Sequence, residues 1–349
     1  MSEEAICRKR GAAGHILLNR PQALNALTLG MVREIAGALD AWEHDPAVKC
    51  VVVEGAGGKA FCAGGDIRLL YDQGRAGDHA AQRAFWGEEY ILNRRIKRYP
   101  KPYVALVDGI DMGGGVGVSL HGSHRIAGDR FLFAMPEVGI GFFPDVGATY
   151  FLPRLPGEMG TYLAITGARV GAGDAVALGI ATAYVPSAKF AELAEALCAE
   201  GDADAVVRRF AQAAPASPLM AHEPVIDRCF DKASVAEVLA ALDADGSDFA
   251  KATRADMLGK SPTSMAVALK QMHVGGKLDI EDAMVLEYRI VSRLCHGFDF
   301  YEGVRATIVD KDKNPKWRPA AVADVRAQDI DAMFAPLGAQ DIVFDRADA

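Results

Sequence analysis

The chain has 349 residues, half of them hydrophobic and 24% charged, which is enough for a sizeable core plus an appendage. A net charge of −8 leaves no global positive field to neutralise phosphates, so no nucleic-acid partner is expected, although a local basic pocket for one phosphorylated cofactor stays open. No run approaches the roughly 18–20 apolar residues that span a bilayer, and Met1 to Arg10 lacks the apolar stretch of a signal peptide; a membrane partner is not expected, and the expected setting is the cytoplasm or an organelle matrix.

In chain order, His15 to Leu18 reads as a strand that stops at Asn19-Arg20-Pro21. Thr28 reads as a helix N-cap, with Met31, Val32, Ile35, Ala36, Leu39 and Trp42 recurring behind it at helical spacing. Val51-Val52-Val53 is wholly apolar, as a strand covered on both faces must be. A glycine-rich loop follows from Gly55 to Asp66. Phe85 to Tyr99 reads as a helix closed by Pro100, and Tyr103 to Val107 as a second buried strand. Gly113-Gly114-Gly115 then opens another helix. Ile126-Ala127 and Phe131 to Ala134 read as brief strands on either side of a Gly128-Asp129 turn. After about Glu200 strands become rare; Ser261-Pro262-Thr263 opens one helix and Glu281 to Leu294 forms another. The expected organisation is α/β over residues 1–200 and helical over 201–349.

Two glycine clusters each follow a buried strand: Phe61-Cys62-Ala63-Gly64-Gly65-Asp66 and Met112-Gly113-Gly114-Gly115-Val116-Gly117. A strand, glycines and a helix start together leave backbone N–H groups unpaired, and two amides aimed at one point make an oxyanion hole. Either cluster alone is better explained by tight turns and close helix–strand packing. Other patterns carry less. Gly117-Val118-Ser119-Leu120-His121 lacks the last glycine of a nucleophile elbow, so Ser119 reads as an ordinary helix residue. His121 and His124 have no third metal ligand nearby in sequence. The six cysteines, Cys7, Cys50, Cys62, Cys198, Cys229 and Cys295, form no C-x-x-C, and no metal site is expected. Gly113 to Gly117 followed by an acid about twenty residues on is also a weak dinucleotide fingerprint, which keeps an NAD-binding oxidoreductase as a distant alternative. Phe298, Phe300 and Tyr301 read as C-terminal core.

Taken together, the two clusters, Asn19-Arg20-Pro21 and Asn25-Ala26-Leu27 resemble the crotonase superfamily over about His15 to Val185. Phe133 to Gly147, Phe151 to Leu155, Ser261 to Ser264, Asp299 to Ala306 and Asp310 to Trp317 extend the likeness to its hydroxyisobutyryl-CoA hydrolase branch and cover nearly the whole chain. The resemblance implies a spiral of ββα units with a helical C-terminal region. It implies a thioester oxygen held by the amides of Gly65 and Gly114, and coenzyme A along Ala63, Gly64, Gly65, Asp66 and Ile67. Arg20 would meet a coenzyme A phosphate or form a surface ion pair. No separate cofactor is expected, since coenzyme A is part of the substrate, and members often form trimers or multiples of trimers.

Carboxylates separate the chemistries. Hydratases of the superfamily use two glutamates; one position is held here by Gly117 and the other by Glu137. An acid appears instead at Asp145, and either Glu88 or Glu89 matches a third polar position of the hydrolase branch, with Glu89 the closer match. Adding water across a double bond needs an acid and a base positioned together. The broken pair therefore favours hydrolysis of a short 3-hydroxyacyl-CoA by Glu137, as nucleophile or as general base, over hydration of an enoyl-CoA.

Overall fold

A computed structural model describes residues 4–344. Its strands are β1 (Ala5–Arg10), β2 (Ala13–Leu18), β3 (Cys50–Gly55), β4 (Ala60–Cys62), β5 (Tyr103–Val107), β6 (Ile110–Met112), β7 (His124–Ala127), β8 (Leu132–Ala134), β9 (Val170–Gly171) and β10 (Ala183–Tyr184). They form two sheets, ordered β1-β2-β3-β5-β7-β10 and β4-β6-β8-β9. The β1–β2 and β8–β9 pairs are antiparallel and the remaining pairs parallel. In three consecutive units, β3–β4, β5–β6 and β7–β8, the first strand enters the large sheet and the second the small one. The Gly128-Asp129 turn therefore does not close a hairpin: Gly128 N–H caps the Val107 carbonyl at 2.9 Å, and the chain crosses to the other sheet.

Strand alternation divides the interior. Val51, Val53, Tyr103, Ala105 and Val107 enter the main core. Cys50, Val52, Val104 and Leu106 point the other way, into a smaller core closed by Leu193, Leu197, Val206 and Val207 from the helices Phe190–Glu200 and Ala203–Phe210. This is why those strands carry no polar face.

Helix α1 (Leu29–Glu43) starts where Thr28 Oγ1 accepts from Met31 N–H at 3.2 Å, and it buries Met31, Val32, Ile35, Leu39 and Trp42. Helix α2 (Ile67–Arg75) is capped by Asp66. Helix α3 (His79–Lys97) begins earlier than the periodicity predicts, because Asp78 caps it through Ala81 N–H. Helix α4 (Gly114–Ser119) is short and wholly buried. Beyond Gln212, the helices Pro262–Gly275 and Ile280–Leu294 contribute Ala268, Leu269, Ile290 and Val291 to the same hydrophobic cluster as the strands. We therefore propose the division between residues 200 and 201 as a change of architecture within one continuous interior. No described helix is long and apolar enough to cross a membrane.

Candidate active site

Successive turns of the spiral bring the chain out of the small sheet at one place. The segments after β4, β6 and β8 meet there around a cavity of about 290 Å³. Into it run Ala63, Gly64 and Gly65 from the first, Gly113 and Gly114 from the second, and Pro136 and Glu137 from the third.

The first loop is held by the motif upstream of it. Asn25 Nδ2 donates to the carbonyls of Ala56 and Ala60 at 2.9 and 3.0 Å. Ala63 N–H donates to Leu24 O, Leu27 N–H to Gly64 O and Asp66 N–H to Leu27 O, at 3.0, 2.8 and 2.8 Å. Gly64, at φ +117°, makes a turn that a side chain would strain. The Gly65 amide is thereby left without a carbonyl partner among the described residues. Gly114 opens α4, so its amide has no intrahelical acceptor either. The two lie close: a Cβ on Gly114 would sit 3.0 Å from Gly65 N and 2.5 Å from Glu89 Oε1.

Glu89 is thus the inward member of its pair. Glu88 is on the surface in a two-point contact with Arg33, both at 2.7 Å. Glu89 is buried on the α3 face that also carries Phe85, Trp86, Tyr90 and Asn93. Glu137 is the first residue of a 3-10 turn, and its Oε1 is 3.2 Å from where a Cβ on Gly113 would stand. Glu89 Oε1 and Glu137 Oε2 are both buried without a hydrogen-bond partner. Buried polar atoms in native proteins are paired, and both glutamates line the cavity.

Asp145 completes the acidic set, accepting from Tyr90 O–H at 2.8 Å. Its loop is strained: Val146 is buried at φ +51°, a region β-branched residues avoid. Several groups hold it there. His121 Nε2–H donates to Val146 O at 2.7 Å. Gln271 Nε2 donates to Pro144 O and to Thr149 Oγ1, each at 2.8 Å. Glu287 accepts from Gly147 N–H at 2.7 Å and Thr149 N–H at 2.8 Å. Gln271 and Glu287 come from the C-terminal helices.

Burial dominates the electrostatics. It pushes the Asp145 carboxyl up to about 7 against the help of Tyr90. It pushes Glu287 up to about 8, with Asp145 adding to the rise. Glu89 and Glu137 are raised well above the usual carboxylate range, first by burial and then by Asp145. Asp111, buried beneath α4 and bonded to Ser119 Oγ at 2.7 Å, is raised to about 7 by burial. Lys260, at the rim, is the one cationic side chain lining the cavity among the described residues.

The acids raised into the neutral range have a thermodynamic consequence. Each keeps its proton to a higher pH folded than unfolded, so the folded state binds more protons and stability falls as pH rises through the folded values. Buried His121, held neutral with its value lowered to about 4, titrates below that window, and so does Glu281, which burial raises but Arg98 and Arg94 hold down to about 2. Tm is therefore expected to drop between about pH 6.5 and pH 8.5, and less so in Glu287→Gln. A Tm that rises over that range in calorimetry would contradict the buried-acid arrangement.

Several expected residues sit elsewhere. Arg20 does not reach the cavity: its guanidinium bonds to Asp66 at 3.0 Å and to Ala26 O at 2.6 Å, and lies 3.2 Å from Glu4. The guanidinium thus forms the ion pair expected of it. Asp66 turns away from the cavity to cap α2 and meet Arg20, while Ala63, Gly64 and Ile67 line it. His124 pairs with Asp204 at 3.0 Å. Phe298 is corrected from core to surface, where Arg318 covers its ring at 4.0 Å. Trp86 and Phe142, stacked at 5.5 Å, form the apolar wall. Sequence reasoning missed both, although the spacing of Phe85, Trp86, Glu89 and Tyr90 marks one helical face. It also missed Lys260, Gln271 and Glu287, for which no local pattern exists.

The model of the family described as enoyl-CoA hydratase/isomerase matches residues 13–334. The chain belongs to that family. Within the enoyl-CoA hydratase/isomerase family, it is 47% identical over 349 residues to the mitochondrial 3-hydroxyisobutyryl-CoA hydrolase of Xenopus tropicalis, covering 97% of this chain and 90% of the relative. It is 43% identical over 353 residues to the Homo sapiens enzyme of the same name, covering 98% and 91%. Among family structures, one described as a carnitinyl-CoA dehydratase from Mycobacterium thermoresistibile superposes with a TM-score of 0.95 at 43% identity, covering 99% of this chain and all of that one. One described as an enoyl-CoA hydratase from Rhodobacter sphaeroides superposes at 0.92 and 42% identity, covering 98% and 100%. Family membership, and the short α4 whose first amide faces the acids, replace the dinucleotide reading of Gly113 to Gly117.

Proposed function

We propose that the chain hydrolyses 3-hydroxyisobutyryl-CoA, or a similar short 3-hydroxyacyl-CoA, to the hydroxy acid and free coenzyme A, as a step of valine breakdown. The observation that carries this is the carboxylate arrangement. Glu137, Glu89 and Asp145 line the same cavity as Gly65 and Gly114, while Gly117 contributes no acid. A cavity of about 290 Å³ is at the small end for ligand sites, which suits a short acyl group.

In this reading the thioester oxygen accepts from Gly65 N–H and Gly114 N–H. Ionised Glu137 then either attacks the carbonyl carbon, expelling the thiolate and leaving a mixed anhydride that water cleaves, or takes a proton from water as that water attacks. In both routes the C–S bond breaks, water supplies OH to the acid and its remaining proton ends on the thiol. Glu89 and Asp145 orient the 3-hydroxyl and the attacking water, and Lys260 meets the phosphate-bearing part of coenzyme A at the rim. Side chains, backbone amides and water supply each step.

A thiol-release screen over a panel of acyl-CoA thioesters tests the proposal. Release from 3-hydroxyisobutyryl-CoA above that from crotonyl-CoA and long-chain thioesters is expected. Hydration of crotonyl-CoA without thiol release would favour the hydratase reading, the function named for the Rhodobacter sphaeroides neighbour.

The two readings also differ over Gly117→Glu. A Cβ at Gly117 would lie 2.6 Å from Asn93 Nδ2 and 3.0 Å from Asn93 Cγ, inside a buried helix. The substitution is expected to lower Tm and to give no useful crotonyl-CoA hydration, because the new carboxylate must displace Asn93 before it reaches the cavity. Efficient hydration by this variant would mean that one missing acid separates the activities.

A further inference from the structure

Away from the cavity, two imidazoles and a thiol converge on the seam between the spiral and the C-terminal helices. His79 is the first residue of α3, and Cys295 and His296 directly follow the helix Ile280–Leu294. One ring nitrogen from each histidine and the Cys295 Sγ all lie within 4.8 Å of one another. The two rings stand 4.0 Å apart, tilted by 52°. A tetrahedral zinc ion, with bonds of about 2.0–2.3 Å, spaces its ligand atoms by roughly 3.3–3.8 Å. The difference is about an ångström, on the scale of side-chain rotation.

The ring of His79 is already oriented for such a role. Buried Gln82 donates through Nε2 to the Leu70 carbonyl at 2.8 Å, which can only accept. That fixes the amide, so Gln82 Oε1 faces His79 Nδ1 at 2.7 Å and accepts its proton. His79 is held in the tautomer whose Nε2 carries a bare lone pair, the outer-shell arrangement that metal-binding histidines use. The two rings are too close to carry two charges cheaply, so at least one of them is neutral and offers a lone pair. Cys295 is buried, and its sulfur makes only a long contact of 3.7 Å to the Ser292 carbonyl. His296 borders an open groove beside Tyr71 and Glu302, which gives a metal and a solvent ligand a way in. Burial pushes the Cys295 thiol up to about 11; Arg83, which acts on both Cys295 and His296, offsets that only in part and opposes a bare cation. A thiolate ligand offsets that opposition.

We propose that His79, Cys295 and His296 form a binding site for a borderline-soft divalent cation, Zn²⁺, with water as the fourth ligand. On binding, the Cys295 thiol gives its proton to solvent and a Zn–S bond forms. The ion ties the start of α3, the helix that presents Glu89 to the cavity and Tyr90 to Asp145, to the end of the helix that supplies Glu287. The expectation of no metal site rested on the missing C-x-x-C, whereas here the third donor comes from far upstream in the sequence.

Cobalt(II) titration of the chelator-stripped full-length protein is the test. One equivalent is expected to give a sulfur-to-cobalt charge-transfer band and the intense visible bands of tetrahedral cobalt, both bleached by Zn²⁺. Cys295→Ser should abolish the charge-transfer band, while Cys7→Ser, at a half-buried cysteine elsewhere, should keep it. His79→Ala and His296→Ala should each weaken affinity by about 10-fold or more. Zn²⁺ should raise the Tm of the parent and not of His296→Ala, a change at an exposed side chain that keeps the fold even where Cys295→Ser does not. No charge-transfer band at one equivalent, or a band untouched by both histidine substitutions, overturns the proposal.

Discussion

Glu137→Gln is expected to lose about 10²-fold or more in kcat, the scale of a removed general base, while binding of a substrate thioester stays near that of the parent. A carbonyl held by Gly65 and Gly114 is already polarised, and what remains is delivery of a nucleophile. Attack by Glu137 and deprotonation of water by Glu137 both need the ionised carboxylate, so the amide stops either route. The change is nearly isosteric and touches no backbone donor. Because burial and Asp145 raise Glu137 well above the usual carboxylate range, the ionised form becomes scarce as pH falls. The parent's kcat/KM should therefore rise with pH along an acid limb displaced upward from that of an ordinary carboxylate, and Asp145→Asn should move that limb down. Isothermal titration beside the thiol-release assay reads binding and turnover separately. Near-parental turnover by Glu137→Gln would remove Glu137 from the mechanism.

Gly114→Ala should be comparably damaging, by about 10²-fold in kcat, although it removes no functional group. The added methyl would sit 2.5 Å from Glu89 Oε1 and 3.0 Å from Gly65 N, so it displaces Glu89 and wedges apart the two amides that must aim at one oxygen. The fold should survive, since alanine suits a helix start, and far-ultraviolet circular dichroism checks that. Gly139→Ala is the matched control: its Cβ would meet nothing closer than the Lys260 side chain at 3.8 Å, and it should stay within a few-fold of the parent. Equal activity of Gly114→Ala and the parent would show that the thioester oxygen is held elsewhere.

Legibility followed locality. The strands at Val51 to Val53 and Tyr103 to Val107 could be read because a short all-apolar run with turn residues at its ends suits a strand covered on both faces and little else. The Thr28 and Ser261 caps were legible because they act three residues away. Gly65, Gly114 and Glu137 could be located because their motifs resemble those of the crotonase superfamily, and the structure brings all of them to one cavity. Arg20 was open between a coenzyme A phosphate and an ion pair, and only the fold shows Asp66 opposite it. What stayed hidden was whatever depends on the second sheet and the C-terminal helices. Nothing near Glu287 in sequence announces that its partners are Gly147 and Thr149, and nothing near Gln271 points to Pro144.

The clamp on the Asp145 loop also bears on when the enzyme comes into being. The Glu287 contacts with Gly147 and Thr149 close loops of 140 and 138 residues, and Gln271 closes another of 127 to Pro144. Strands and glycine loops can assemble while a nascent chain is still leaving the ribosome, but the left-handed Val146 has only His121 to hold its geometry until the helices carrying Gln271 and Glu287 emerge. Stalled chains that end before Glu287 should therefore expose the spiral without turning over thioester, and competence should arrive only as translation ends.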